Sequence, residues 1–108
     1  MARMNDNSSD VLKAVGRATL LSLEEIGGRA ESHAKEYEIR VDTGRLRNSI
    51  THAVDNDDST VVVGTNVEYA IYQELGTRKI SALKFLTRSI TDHVEEYKTV
   101  VNHYFKEL

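Results

Sequence analysis

The chain of 108 residues contains six glycines and no proline. Proline usually makes up about 5% of a protein, and it is the residue that most strongly interrupts a helix. Without it, helix ends and tight turns depend on glycine, asparagine and aspartate. The sequence therefore favours long uninterrupted helices, and its glycines mark candidate points of chain reversal.

The composition is that of a small globular domain, and we expect residues 1–108 to form one domain, with residues 1–8 flexible. Hydrophobic residues make up 40% of the chain and charged residues 29%, which is not the balance of a disordered protein. No apolar run approaches the roughly 18 residues of a membrane span. The absence of cysteine excludes disulfides and thiolate metal sites. The formal net charge of −3 argues against a large DNA-binding face.

Apolar residues recur at helical spacing between positions 11 and 37 and predict a long N-terminal helix. Gly27 and Gly28 interrupt this pattern, and each costs about 1 kcal/mol in a helix interior. We interpret the pair as a weak point in one helix, either a kink or a place where another backbone comes close. An alternative is two helices that join at the glycines.

A second long helix is predicted at the C-terminus, with Ser81 as its N-cap. Its apolar residues follow one another in steps of three or four, and its predicted length is roughly 40 Å. The predicted buried stripe consists of Leu83, Leu86, Ile90, Val94, Tyr97, Val101, Tyr104 and Leu108. The opposite, solvated face is predicted to consist of Asp92, Glu95, Glu96, Lys98 and Lys106.

Between the two helices the pattern predicts a small sheet. Residues 49–54 fit one strand with Ile50 and Val54 on the same face, and the β-branched run at residues 60–64 fits its antiparallel partner across a five-residue polar loop. A short helix follows and ends at Gly76. The predicted fold class is α+β: a long N-terminal helix, an antiparallel β-hairpin as a small sheet, a short helix and a long C-terminal helix. The open edges of the hairpin require a partner, for which a neighbouring subunit is the natural candidate.

The sequence contains no residue pattern typical of catalysis, cofactor binding or metal binding. No two histidines have the i, i+4 spacing of a helical zinc site, and no serine lies in the Gly-x-Ser-x-Gly pattern of a hydrolase. The acidic run at residues 55–58 lacks the glycine and the distal glutamate of a calcium loop and is interpreted as a solvated turn. We therefore predict no catalytic residue, no cofactor and no metal, and a protein that is not an enzyme. The four histidines are His33, His52, His93 and His103.

Basic residues flank the central segment on both sides, namely Arg45, Arg47, Arg78 and Lys79. They allow two interpretations. They can form a patch that faces nucleic-acid phosphates, or they can pair with carboxylates such as Glu68 and Glu74, within the chain or across a subunit boundary. Tyr69 and Tyr72 lie close together on the predicted short helix and fit either a core or the centre of an interface.

Two blocks of sequence occur in an order that resembles a known family. The first covers residues 41–50, Val-Asp-Thr-Gly-Arg-Leu-Arg-Asn-Ser-Ile, and the second covers residues 63–70, Val-Gly-Thr-Asn-Val-Glu-Tyr-Ala. With these blocks the chain resembles the small bacteriophage tail-component family, the neck or tail-completion proteins of long-tailed phages. That family usually has proline before the first block and around the start of the last helix, where this chain has none. The further matching residues are Tyr72, Glu74, Gly76, Thr77, Arg78, Ala82, Phe85 and Leu86.

The resemblance implies a structural role in the virion, where the protein completes the tail or joins the tail to the head. It implies a homo-oligomeric ring of six copies that matches the symmetry of the tail, with genomic DNA passing through the channel without sequence-specific binding. The implied partners are the head–tail connector and the tail-tube proteins, with no membrane. The implied location is the neck of the virion, after assembly in the host cytoplasm. A tail terminator and an adaptor one layer away remain equally open.

A closed ring requires head-to-tail contacts between unlike surfaces of its copies. We expect the hairpin edge and residues 69–78 to supply these contacts. An alternative function is a small nucleic-acid-binding module that uses the four basic residues of the flanking patch. The expected interface residues are Arg45, Arg47, Glu68, Tyr69, Tyr72, Glu74, Thr77, Arg78 and Lys79, with backbone turns at Gly44, Gly64 and Gly76.

Overall fold

The computed structural model describes residues 8–37, 45–67, 70–76 and 84–106, which form five helices and one β-hairpin. The two strands pair antiparallel in a two-stranded sheet. This is the predicted α+β architecture. In chain order the elements are α1 (Ser8–Tyr37), α2 (Arg45–Ser49), β1 (Thr51–Asp55), β2 (Thr60–Gly64), α3 (Ala70–Leu75), α4 (Phe85–Thr91) and α5 (Val94–Lys106).

Helix α1 is the element against which most of the others pack. It is one continuous helix that runs through Gly27 and Gly28, and it contacts α2, both strands, α4 and α5. The prediction of a single helix is confirmed, and the alternative of two helices is wrong. Packing from several sides outweighs the roughly 1 kcal/mol that each glycine costs in a helix interior.

Gly27 is where the hairpin packs tightly onto α1. A Cβ atom at this position would lie 2.9 Å from Val61 Cγ2 and would overlap the imidazole of His52. The same imidazole reaches two carboxylates of α1, with Nδ1 3.1 Å from Glu31 Oε1 and Nε2 3.4 Å from Glu24 Oε2. Glu24, Gly27 and Glu31 are spaced three and four residues apart, so they share one helix face. The missing side chain of Gly27 therefore makes room for side chains of the hairpin, rather than for another backbone.

The β-hairpin turns one face towards α1 and the other outwards. Strand β2 has the bounds that the sequence predicted, but β1 begins at Thr51 rather than at residue 49, because Ser49 is the last residue of α2. Asp55 pairs with Thr60, so the connecting loop comprises residues 56–59 and is one residue shorter than predicted. The half-buried face consists of His52, Val54, Val61 and Val63.

The hydrophobic core lies where the C-terminal half of α1 meets α2, the base of the hairpin, α3 and α4. Phe85 is fully buried, and Leu46 and Ile50 keep only 1% and 2% of their surface exposed. Ile50 precedes β1 in phase with Val54, as predicted. The buried cluster consists of Ala34, Leu46, Ile50, Val67, Ala70 and Phe85, with Tyr37, Val63 and Leu86 packed against it.

The C-terminal region forms two helices rather than the single long helix that the periodicity predicted. Helix α4 begins after Lys84, which occupies the N-cap position at a φ of 53°, rather than after the predicted cap Ser81, which lies outside the described residues. Asp92 and His93 separate α4 from α5. The His93 amide donates to the carbonyl of Ile90 at 3.3 Å, which is the i→i+3 pattern of a tightened turn.

The end of α1 holds this break in place. The Tyr37 hydroxyl donates to Asp92 Oδ2 at 3.1 Å and lies 2.9 Å from His93 Nε2. The Arg88 guanidinium pairs with Asp92 at 3.1 Å and lies over the Tyr37 ring, 4.2 Å from its centroid. The break therefore depends on a tertiary contact, which local periodicity cannot reveal.

The buried face of α4 and α5 agrees with the predicted stripe in part: Tyr97 is buried and Leu86 packs against the core, as predicted. Ile90, Val94 and Val101 remain 45%, 44% and 37% exposed. Ser89 is fully buried instead, because its small side chain permits close packing and its hydroxyl is satisfied by a backbone carbonyl of the same helix at 2.6 Å. The buried residues of the two helices are Phe85, Ser89, Tyr97 and Val100.

A carboxylate from α3 caps the start of α4. Glu74 accepts hydrogen bonds from the backbone amides of Leu86 at 2.8 Å and Thr87 at 3.2 Å, and from the Thr87 hydroxyl. Amides in the first turn of a helix have no partner within the helix, and the helix dipole favours a negative charge at this end. Glu74, predicted as an interface residue, therefore joins α3 to α4 within the chain.

Replacing Gly27 tests the close contact between α1 and the hairpin. Gly27→Ala should lower the free energy of unfolding by about 1–3 kcal/mol relative to Gly28→Ala, because the new methyl group must displace Val61 and His52. Gly28→Ala is the matched control, since no atom of the described residues lies within 4 Å of its added Cβ, and helix propensity should make it up to about 1 kcal/mol more stable than the parent. Urea unfolding measures both variants. Equal stabilisation of the two would contradict the contact.

Removing the Glu74 carboxylate tests its structural role. Glu74→Ala should lower the free energy of unfolding of the isolated chain by about 1–2 kcal/mol, because two amides of α4 lose their acceptor. Glu95→Ala is the control, since the Glu95 side chain is 88% exposed and pairs with Lys98, and it should stay within about 0.5 kcal/mol of the parent. Thermal and urea unfolding report both values. Indistinguishable variants would show that the cap contributes nothing.

Candidate assembly interface

The predicted interface residues fall partly within the described structure. Those on described elements are Arg45 and Arg47 on α2, Gly64 at the end of β2, Tyr72 and Glu74 on α3, and Gly76 after α3. Those outside the described residues are Gly44, Glu68, Tyr69, Thr77, Arg78 and Lys79. The role of both groups in an interface stays a prediction.

Helix α2 presents the two described arginines of the predicted patch. Leu46 is 1% exposed and anchors the helix in the core, whereas Arg45 and Arg47 on either side of it are exposed. Each arginine is engaged in an interaction of its own. Arg78 and Lys79 lie outside the described residues, so the nucleic-acid-binding alternative also stays a prediction.

The two described glycines of the predicted turns differ in conformation. Gly76 follows α3 with a φ of 79°, the left-handed conformation that ends many helices and that glycine adopts without steric cost. Gly64 is the last residue of β2 and pairs with Thr51, and open space surrounds the position that its Cβ would take. Of these two, Gly76 is therefore the position that requires glycine on conformational grounds.

The N-terminal half of α1 carries an exposed apolar surface. Val11 and Leu12 are 57% and 70% exposed, and Val15 and Leu21 are 37% and 42% exposed. These four residues are the α1 apolar surface. A groove of about 780 Å³ lies between this surface and the hairpin loop. A small domain rarely leaves a group of large apolar side chains in water unless a partner covers them.

A second group of apolar side chains is exposed at the other end of the chain. Ile90 is exposed on α4, and Val94 and Val101 are exposed on α5, where their spacing of seven residues places these two valines on one side of the helix. These three residues are the α4–α5 apolar surface. Among the described helices, none has both the length and the apolar character that crossing a membrane requires.

A polar cluster joins α1 to the junction of α4 and α5. His33 Nε2 lies 3.0 Å from Glu96 Oε1 and 3.2 Å from Oε2, and His93 Nδ1 lies 3.3 Å from Oε1. The two imidazoles are stacked, with centroids 3.5 Å apart and planes inclined by 2°. The side chains of His33, His93 and Glu96 are 18%, 23% and 29% exposed, so solvent reaches the cluster.

Glu96 is the centre of this cluster, so its predicted place on the solvated face is wrong. Besides His33, it accepts a hydrogen bond from Arg29 Nη1 at 3.1 Å. Burial opposes ionisation of Glu96, but the hydrogen bonds from His33 and Arg29 outweigh burial and hold the pKa of this carboxyl below its ordinary value. Arg29 also pairs with Glu25 at 2.8 Å, and Glu25 accepts from the Tyr104 hydroxyl at 2.7 Å. Charged and polar side chains thus line the contact between α1 and α5.

Two tyrosines in the same contact act as hydrogen-bond donors. The Tyr97 hydroxyl donates to the carbonyl of Ser89 at 2.5 Å, and burial raises the pKa of Tyr97 to about 12. Burial, followed by the hydrogen bond to Asp92, raises the pKa of Tyr37. Both hydroxyls are therefore protonated at neutral pH, and their geometry fixes the groups around the two stacked histidines.

Reasoning from local sequence missed this cluster. The one local signal is the spacing of His93 and Glu96, which places both on one side of a helical turn. His33 lies 63 residues before Glu96, so only the packing of α1 against α5 brings it to them. One donor atom from each of the three residues lies within 4.8 Å of the others, a separation at which they can hold a metal ion.

Comparison with known proteins identifies the family of the chain. No curated protein and no solved structure matches it. The model of a family described as "Bacteriophage HK97-gp10, putative tail-component" matches residues 1–76, which span α1, α2, the hairpin and α3. The match covers more than half of the chain and agrees with the resemblance carried by the central blocks. The chain therefore belongs to the HK97-gp10-like family of bacteriophage tail components.

Proposed function

We propose that the protein is a structural component of the phage neck, which completes the tail or joins it to the head as a ring around the DNA channel. Membership of a bacteriophage tail-component family supports a place in the virion. The resemblance of the central blocks to neck and tail-completion proteins supports the neck. The observation that carries the proposal is the α1 apolar surface, which a lone copy leaves in water.

The α1 apolar surface is suited to burial by a second copy. Val11 and Leu12 are more than half exposed, and burying a side chain of this kind completely contributes about 1.5–3 kcal/mol. The groove beside this surface gives the contact a concave shape, and Arg17 and Asn56 line it as well. An apolar centre with polar groups around it is the usual composition of a specific protein interface.

A closed ring needs two unlike surfaces on each copy, so that one copy's first surface binds its neighbour's second. We assign the α1 apolar surface to one side of this contact and the α4–α5 apolar surface to the other. The two surfaces consist of different residues on different elements, and both are exposed in a lone copy. In a ring every copy buries both, and six copies match the tail symmetry that the resemblance implies.

The hairpin supplies a further candidate contact, to proteins above or below the ring. Among the described residues each strand pairs with one other strand, so each has an edge open to strand addition. Val62, on the outward face, is 62% exposed. The sequence alone predicts that this edge and residues 69–78 join copies within the ring. Because the two apolar surfaces are assigned to that contact, we assign the edge, together with Arg45, Arg47 and the predicted interface segment at residues 68–79, to contacts with the head–tail connector or the tail-tube proteins.

The charge of the chain suits a channel through which DNA moves. A net charge of −3 per copy does not attract the phosphates of DNA that moves through the channel, whereas a strongly basic lumen would bind them. The proposal therefore includes no sequence-specific DNA contact, and it gives the protein no catalytic step and no membrane partner. Assembly in the host cytoplasm precedes its place in the virion.

A charged substitution on the α1 apolar surface tests the ring contact. A phage carrying Leu12→Asp should yield separate heads and tails, because an aspartate buried in the contact without a partner costs roughly 3 kcal/mol or more. That loss corresponds to at least about a hundredfold fewer joined particles. Electron microscopy of lysates counts joined and separate particles. Leu12 is 70% exposed in a lone copy, so the variant should fold normally, which circular dichroism checks.

Asn102→Asp is the matched control, since it adds the same charge at an exposed position of α5 outside both apolar surfaces. It should give joined particles in normal numbers. Normal joining by Leu12→Asp, or an equal loss in both variants, would count against the assignment of the α1 apolar surface.

A further inference from the structure

We propose that His33, His93 and Glu96 form a binding site for a divalent transition-metal ion of the zinc class, which ties α1 to the junction of α4 and α5. Two imidazoles and one carboxylate are ligands that zinc accepts, with a fourth position open to water. The three side chains come from α1, the link after α4, and α5. Such a site adds a binding activity that the family membership does not supply.

Two of the three separations between donor atoms agree with those around a tetrahedral zinc ion. Zn–N and Zn–O distances of about 2.0–2.1 Å place neighbouring ligand atoms about 3.3 Å apart. Glu96 Oε1 lies 3.0 Å from His33 Nε2 and 3.3 Å from His93 Nδ1. The carboxylate oxygen is thus at a suitable distance from both nitrogens, and all three donor atoms lie within 4.8 Å of one another.

A hydroxyl on the ring nitrogen that does not face Glu96 orients His93. The Tyr37 hydroxyl lies 3.1 Å from Asp92 Oδ2 and 2.9 Å from His93 Nε2. In the tautomer in which Tyr37 donates to Asp92 and accepts from His93 Nε2, the other ring nitrogen, Nδ1, keeps a lone pair and faces Glu96. Metal-binding histidines usually have such an outer partner on the second nitrogen.

The second histidine carries an unsatisfied atom that the same arrangement explains. His33 Nδ1 is buried, and within the part of the chain that the structure describes it has no hydrogen-bond partner; Glu36 Oε2 lies 3.7 Å away. When Nε2 binds an ion, the ring proton moves to Nδ1. The Glu36 side chain is 73% exposed, and we assign it as the acceptor of that proton. Glu36 is then the outer hydrogen-bond partner of His33, as Tyr37 is of His93.

The surrounding charges favour a cation on balance. Carboxylates at Glu25, Glu36 and Asp92 surround the cluster, against the two guanidinium groups of Arg29 and Arg88. Arg29 pairs with Glu96 through Oε2 at 3.1 Å, which leaves Oε1 to the ion. Because this guanidinium repels a metal ion, we expect weaker binding than in closed four-ligand zinc sites.

Metal binding requires one ring to turn. The stacked imidazoles have planes inclined by 2°, and one ion cannot lie in two parallel planes 3.5 Å apart. His93 sits in the two-residue link between α4 and α5, where its backbone is outside a regular helix. An open groove of about 390 Å³ beside His33 and Glu96 gives an ion access from solvent.

Zinc binding by the purified chain without an affinity tag tests the proposal. After treatment with a chelator, titration with zinc chloride in a calorimeter should give one ion per chain, and zinc should raise the midpoint of thermal unfolding. His33→Gln and His93→Gln should each weaken binding at least about tenfold. His103→Gln is the matched control, because His103 is an exposed histidine of α5 outside the cluster, and it should bind zinc as the parent does.

Tyr37→Phe keeps the test decisive if a histidine variant fails to fold. It leaves all three ligands in place, and it should weaken zinc binding about tenfold through the loss of the outer partner of His93. Circular dichroism with chelator present checks the fold of each variant. Absence of stoichiometric zinc binding by the parent, or a loss in His103→Gln equal to that in the folded cluster variants, would overturn the site. The test uses the isolated chain, so it is independent of ring formation.

Discussion

The packing of the His52 imidazole against Gly27 is the contact on which the rest of the structure depends. Because Gly27 has no side chain, the hairpin reaches α1, and the imidazole lies between the carboxylates of Glu24 and Glu31. This contact fixes the position of β1, and with it the buried Ile50 just before the strand. Helix α1 packs against the hairpin as well as against α4 and α5. A two-stranded hairpin has only marginal stability alone, and here it becomes part of one core.

Helix α1 also links the fold to assembly, because its two halves have different surroundings. The C-terminal half is packed by the other elements, and Ala30 and Ala34 on it are buried. The N-terminal half exposes Val11 and Leu12 beside a groove. In a family of phage tail components, a helix with a packed C-terminal half and exposed apolar residues near its N-terminus suits a part that its neighbours complete.

The sequence predicted what depends on local pattern and missed what depends on packing between distant residues. Helical spacing predicted α1, and the β-branched run predicted β2, because these signals lie within one element. The predicted stripe of the C-terminal helices was right at Tyr97 but missed Ser89, because apolar periodicity assigns buried positions to hydrophobic residues. Glu96 was predicted as a solvated residue, yet it binds His33, and the sequence did not predict that Glu74 caps α4. Neither partner is near in sequence, so no local pattern reveals them.

Electron cryomicroscopy of the neck in purified phage particles tests the central claim most directly, namely that identical copies close around the tail axis through the α1 apolar surface. The account predicts a ring of six copies between the connector and the tail tube, with Val11, Leu12 and Val15 of every copy covered by a neighbour. A neck without this chain, or copies whose residues 11–21 face solvent, would contradict it.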